Sequence, residues 1–140
     1  MLMTYTPFFV HGADRSARWL VTCDHATKVV PPEVEGGELG LAPEDMDRHI
    51  AYDPGAHGVA CALGEVLDAP VVASNFSRLV IDPNRGEDDP TLVMKICDGS
   101  LIPANRNIDE DEVTRRLDAY YRPYHAQLRK FVARSDTIVV

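Results

Sequence analysis

Apolar and β-branched residues run together at Trp19-Leu20-Val21-Thr22-Cys23 and stop at the charged pair Asp24-His25. That run predicts a strand over 19–23. Val71-Val72-Ala73-Ser74 predicts a second strand, Leu79 to Ile81 a third that Pro83 must end, and Thr137-Ile138-Val139-Val140 a last one. Between the first two, Ala56, Val59, Ala60, Leu63 and Leu67 recur at helical spacing. They predict an amphipathic helix over 54–68, with Asp53 as N-cap and Pro54 in the first helical position.

Val113, Leu117, Tyr120 or Tyr121, Tyr124, Leu128, Phe131 and Val132 form a longer helical stripe. Its start is marked by a capping-box spacing at Asn107-Ile108-Asp109-Glu110, and Pro123 should kink or split it. Residues 1–17 are weakly periodic, and Met94 to Cys97 fits a short strand or a helical piece. From Thr27 to about Asp47, prolines, glycines and acids make a long loop with one short turn near Pro43 to Met46, a length typical of lids and site loops. Strand, helix, strand in this order is the signature of a βαβ crossover. The chain therefore predicts one α/β domain over 1–140, with a mixed or mostly parallel sheet flanked by helices.

The composition fits a globular protein, 45% hydrophobic and 26% charged. No apolar stretch approaches the ~18 residues of a membrane span, and no leader pattern opens the chain, so a cytoplasmic location is the expectation. A formal charge of −8 argues against a nucleic-acid partner, which needs a basic footprint. Cys23, Cys61 and Cys97 are widely spaced and read as reduced thiols, with Cys23 in the core.

Against this acidic background, Ser77-Arg78-Leu79-Val80-Ile81-Asp82-Pro83-Asn84-Arg85 concentrates two guanidiniums at the end of an apolar run. Ligands of open α/β sheets sit at the carboxyl ends of strands, and the planar guanidinium fork matches a carboxylate. Arg78 and Arg85 thus suit a small-molecule carboxylate; equally, either makes an internal ion pair with Asp82 that fixes a turn. His25, just after a strand, is a candidate metal ligand, with Asp24, His49, Asp53, His57 and His125 as possible partners. Its alternative is an ordinary hydrogen-bonded histidine. His11 and His57 read as surface residues. His125, within Tyr120-Tyr121-Arg122-Pro123-Tyr124-His125, either shapes a pocket or belongs to an aromatic stripe packed on the sheet.

Four separated segments resemble the N-formylglutamate amidohydrolase family. They are Val21-Thr22-Cys23-Asp24-His25-Ala26 with Pro31 downstream, Asp53-Pro54-Gly55-Ala56, the Ser77-to-Arg85 segment, and Tyr121-Arg122-Pro123-Tyr124-His125. The resemblance implies a zinc-carboxypeptidase/phosphorylase-hydrolase-like fold and hydrolysis of an N-acyl amino acid such as N-formylglutamate. It implies His25 as a zinc ligand, Asp53 as a second ligand or a residue orienting the first, and Arg78, Asn84 and Arg85 as the catalytic and substrate-binding groups. His125 joins them at the substrate pocket. Family members continue with a further metal ligand and a general-base carboxylate, so the domain is expected to be the N-terminal part of the fold, incomplete at its C-terminus. The competing expectation is a non-catalytic small-anion binding module that retains the arginine pocket.

Overall fold

The computed structural model describes residues 4–134 and 136–140. Four strands form the main sheet: β1 (Phe8–His11), β2 (Trp19–Cys23), β3 (Val71–Ser74) and β6 (Ile138–Val139), in the order β1-β3-β2-β6. β2 is parallel to β3 and to β6, whereas β1 runs antiparallel to β3, so the sheet is mixed.

The two-residue period of the strands divides the core. Leu20 and Val72 face one side with Phe76, Tyr120 and Tyr124. Val21, Cys23, Val71 and Ala73 face the other with Ala60 of helix α2 (Ala56–Leu67). One face is thus covered by α2, which joins β2 to β3. The opposite face is covered by the helical segment of α3 (Glu110–Arg116) and α4 (Arg122–Val132), together with the loops. Gly64 permits the close seating of α2: a Cβ there would lie 2.3 Å from Val71 Cγ2. No helix among the described residues is long and apolar enough to cross a membrane.

Several local expectations change. Residues 79–81 are not a strand: 78–80 form a turn and 81 is irregular, although Leu79, Val80 and Ile81 are fully buried. Their backbone groups are satisfied by side chains instead of a ladder: Ser77 Oγ accepts from Leu79 N, Asn105 Nδ2 donates to Leu79 O, and Arg116 Nη1 donates to Val80 O at 2.9 Å. A run buried on all sides looks in sequence like a central strand. Helix α2 starts after Gly55, in the left-handed conformation, so Asp53 is not its N-cap. The box before α3 is shifted by two residues, with Asp109 accepting from Glu112 N.

Pro123 does not break the long helix. A π-helical turn, Leu117–Tyr121, precedes it, and Arg122 N bonds back to Leu117 O. The wider turn absorbs the ring and the missing donor within a continuous helical path. Ile96–Cys97 forms β4 of a small hairpin with β5 (Ser100–Leu101), outside the main sheet. Asp98-Gly99 turns it with positive φ at both residues, the pattern of a tight two-residue hairpin. The weakly periodic N-terminal segment supplies the edge strand β1. The loop over 27–47 contains the one short helix α1 (Pro43–Met46). Its Val34 and Leu39 are buried in the core, which fastens it as a wall.

Candidate active site

Where β2 ends, the chain passes through Asp24 to His25, and both are tied down. The Asp24 carbonyl accepts from Ser74 Oγ at 2.6 Å, and its carboxylate accepts from Tyr124 OH at 2.7 Å. His25 O accepts from Asp53 N at 3.0 Å, which brings the start of the α2 segment beside it. The imidazole is buried between two carboxylates: Nε2 lies 2.7 Å from Asp82 Oδ1, and Nδ1 lies 3.3 Å from Asp53 Oδ2.

Asp82 is the hub. Its side chain has no exposure, yet it accepts from Asn84 N at 2.9 Å and from Arg78 Nη2 at 3.1 Å as well as facing His25. Arg85 Nε stands 3.9 Å from its second oxygen. Burial raises the cost of its charge, but these donors outweigh that and hold its carboxyl below the usual range. Burial likewise acts downward on the His25 imidazole, and the hydrogen bond and charge of Asp82 turn the net direction upward.

The two arginines differ. Arg78 is 20% exposed and held by Asp82, with Nη1 3.8 Å from Asp53 Oδ1. Its buried Nε has no hydrogen-bond partner among the described residues. Arg85 is 42% exposed and keeps its guanidinium turned to the surface, while its carbonyl is clamped by Tyr121 OH at 2.7 Å. Asn84 contributes its backbone to Asp82 and is itself exposed. His125 lies behind the same loop, Nε2 3.0 Å from Pro83 O and its ring 4.3 Å from that of Tyr121. The π-helical turn therefore helps aim Tyr121 and His125 at the arginine loop. Arg116, buried and bonded to Glu112, Asn105 and Val80 O, braces the loop from below.

His25, Arg78 and Arg85 thus surround one carboxylate, Asp82, that sequence reasoning treated only as an ion-pair partner, and Asp53 joins the group through His25 Nδ1 and Arg78. The signal for Asp82 was an acid closing a wholly apolar run, flanked by arginines at i−4 and i+3. His49 is not in the cluster; it is exposed beside Asp98. His57 is not there either, and it is not a plain surface residue: it is half-buried against His11. Ser74 and Ser77 donate their hydroxyls to backbone carbonyls, and burial pushes the Cys23 thiol up to about 11, so none of these is an activated nucleophile.

For a divalent metal, His25 Nδ1 and Asp53 Oδ2 offer two donors at a separation close to the ~3.3 Å edge of a tetrahedral zinc site. Asp82 on Nε2 supplies the carboxylate partner that fixes the tautomer and leaves Nδ1 free to ligate. These residues fit two positions of a metal centre. Among the described residues, the three-membered cluster of close-set metal-type donors lies elsewhere, at His11, His57 and Cys61.

A family model described as N-formylglutamate amidohydrolase matches residues 17–139. N-formylglutamate deformylase of Pseudomonas putida is 34% identical, over 79% of this chain and 43% of its own length. The crystal structure of a gene product of Agrobacterium tumefaciens superposes with a TM-score of 0.90 at 33% identity, covering 95% of this chain and 54% of that one. N-formylglutamate amidohydrolase from Ralstonia eutropha JMP134 gives a TM-score of 0.64 at 25% identity, covering 90% and 50%. The chain thus spans about half the length of the relatives it matches.

Proposed function

This chain belongs to the N-formylglutamate amidohydrolase family, and from that premise we propose that it carries the carboxylate-binding and part of the metal-binding machinery of an amidase for N-acyl amino acids such as N-formylglutamate. The observation behind this reading is the convergence of His25, Arg78 and Arg85 on buried Asp82, with Asp53 set against His25 and Arg78. The finer reading of the fold as zinc-carboxypeptidase/phosphorylase-hydrolase-like rests on the family resemblance.

In this proposal Arg85, exposed and free of hydrogen bonds from its guanidinium among the described residues, receives a substrate carboxylate. Asn84 stands beside it at the surface. Arg78, preset by Asp82 and 20% exposed, brings its positive charge to the negative charge that develops on the scissile carbonyl oxygen. His25 Nδ1 and Asp53 would hold the metal, with Asp82 keeping the proton on Nε2. The chemistry such an ion would supply is Lewis-acid activation of water and of the amide carbonyl. His125 and Tyr121 fix the backbone of the arginine loop and so the position of Arg85.

A second reading is favoured by the donor count. A catalytic zinc takes about three protein ligands, and the His25 cluster offers two. On that reading the chain is a small-anion binding module without turnover. One experiment separates the two: metal analysis with formate release from N-formylglutamate, run on this chain and on any longer natural form. Metal-dependent formate release, lost in His25→Ala, supports the hydrolase. Binding of N-formylglutamate with no formate release from either form supports the module, and neither binding nor release ends both.

A further inference from the structure

We propose that His11, His57 and Cys61 form a separate binding site for a zinc-class divalent cation, between edge strand β1 and helix α2. The inference does not depend on the reading of the His25 cluster. His11 is in register with Val71, the first residue of β3, whereas His25 lies two residues past Cys23, which pairs with Ala73 farther along that strand.

The site is built by the same close approach that seats the helix. His57, Cys61 and Gly64 fall at i, i+4 and i+7, on one face of α2. Gly64 closes on Val71, and Val71 is the ladder partner of His11, so the helix face carrying His57 and Cys61 is drawn toward the histidine of β1. The result is an Nε2-to-Nε2 distance of 3.1 Å between the two imidazoles, with all three donor atoms within 4.8 Å of one another. Tetrahedral zinc sets its nitrogen donors about 3.3 Å apart and nitrogen and sulfur about 3.6 Å apart, so the two imidazole nitrogens, hydrogen-bonded to each other in the metal-free chain, already stand near ligand spacing and the thiol has to close by no more than about 1.2 Å.

Phe9 fixes the ring planes. It stacks on His57 at 5.3 Å and on His11 at 6.0 Å. Burial, then the neighbouring His11, push the His57 imidazole below its ordinary value, which favours the neutral ring that a metal binds. Two imidazoles and a thiolate are a borderline-soft donor set that suits Zn²⁺ and, as a spectroscopic substitute, Co²⁺. Binding displaces the Cys61 thiol proton to solvent, and three protein donors leave the fourth tetrahedral position to water or an outside ligand.

The test is titration of the chelator-stripped chain with Co²⁺ and then Zn²⁺. The expected result is a thiolate-to-cobalt charge-transfer band that Zn²⁺ displaces, unchanged in His25→Ala and lost in Cys61→Ser. His11→Gln and His57→Gln should each weaken Zn²⁺ binding at this site by at least about 100-fold, the upper end of what even outer-shell losses cost. Alkylation mapping of the unmutated chain checks the assignment without relying on the variants: Zn²⁺ should protect Cys61 and leave Cys97 reactive. No band with the unmutated chain, a band that survives Cys61→Ser, or a Cys61 alkylation rate unaffected by Zn²⁺ overturns the proposal.

Discussion

Asp82 Oδ1 lies 2.7 Å from His25 Nε2, across 57 residues of sequence, and the carboxylate has no exposure to water. An acid this deeply buried is stable as a charge only because His25, Arg78 and the Asn84 amide all donate to it. The site is organised around that carboxylate, and its energetics make the first two predictions.

Asp82→Asn preserves shape but removes the charge, leaving His25 and Arg78 uncompensated. The expected loss is about 3–5 kcal/mol of stability, as for breaking a buried pair. The loss should depend on pH in the metal-free chain. His25 is raised from 6.5, so its contribution is complete below that value and disappears as pH rises through its folded pKa. Asp82 is lowered from 3.8, so its contribution is complete above that value and disappears as pH falls through its folded pKa. The difference in melting temperature between the two proteins should therefore peak between 3.8 and 6.5 and narrow on both sides. A difference that fails to narrow below 3.8 and above 6.5 would show that Asp82 acts by packing alone.

Arg78→Lys and Arg85→Lys should separate. Arg78 is committed to Asp82, and losing its fork should cost about 1.5–3 kcal/mol of stability, the scale of a hydrogen bond to a charged group. Arg85 faces outward, so its replacement should leave stability within about 0.5 kcal/mol. It should weaken binding of N-formylglutamate about tenfold or more, because the ammonium cannot make the paired bonds. Calorimetric titration and thermal melts read the two effects. Equal behaviour of the variants would contradict the division of labour.

Tyr121→Phe deletes the hydroxyl that donates to Arg85 O from the π-helical turn. The expected cost is about 1 kcal/mol, with weaker anion binding because the loop carrying Arg85 is no longer clamped. Unchanged melting and unchanged binding together would mean that the hydroxyl is not what positions the loop.

Gly64→Ala sets two effects against each other. The substitution gains up to about 1 kcal/mol of helix propensity. Its new Cβ would meet the buried, β-branched Val71 at 2.3 Å, and relieving such a clash typically costs about 1–3 kcal/mol. The clash should win, giving a net loss and lifting α2 from the sheet. A stabilised Gly64→Ala would show that the helix seat is looser than the geometry implies.

Much of the scaffold was legible in the chain. Strands 19–23 and 71–74, the helix between them, the terminal strand and the long aromatic helix each leave a local run or repeat of apolar residues, and the short turn at Pro43 is marked by its proline. The edge strand Phe8–His11 did not, because all four of its residues are half-buried and no alternation develops. Residues 79–81 misled in the opposite sense, since complete burial of a turn has the composition of an inner strand. The Asp98-Gly99 hairpin was available as a turn pair but lacked flanking strands long enough to register.

The sequence by itself determined the α/β plan, the acidic surface and the presence of His25, Asp53, Arg78 and Arg85 as unusual groups at the ends of apolar runs. Only the tertiary structure decided that they come together, that Asp82 is the common partner of His25, Arg78 and Arg85, and that His11, His57 and Cys61 meet. The reason is physical. Periodicity reports which way a side chain points from its own element, whereas a contact over 57 residues depends on how elements are stacked. That stacking is set by close approaches such as Gly64 on Val71, whose partner no neighbouring residue specifies.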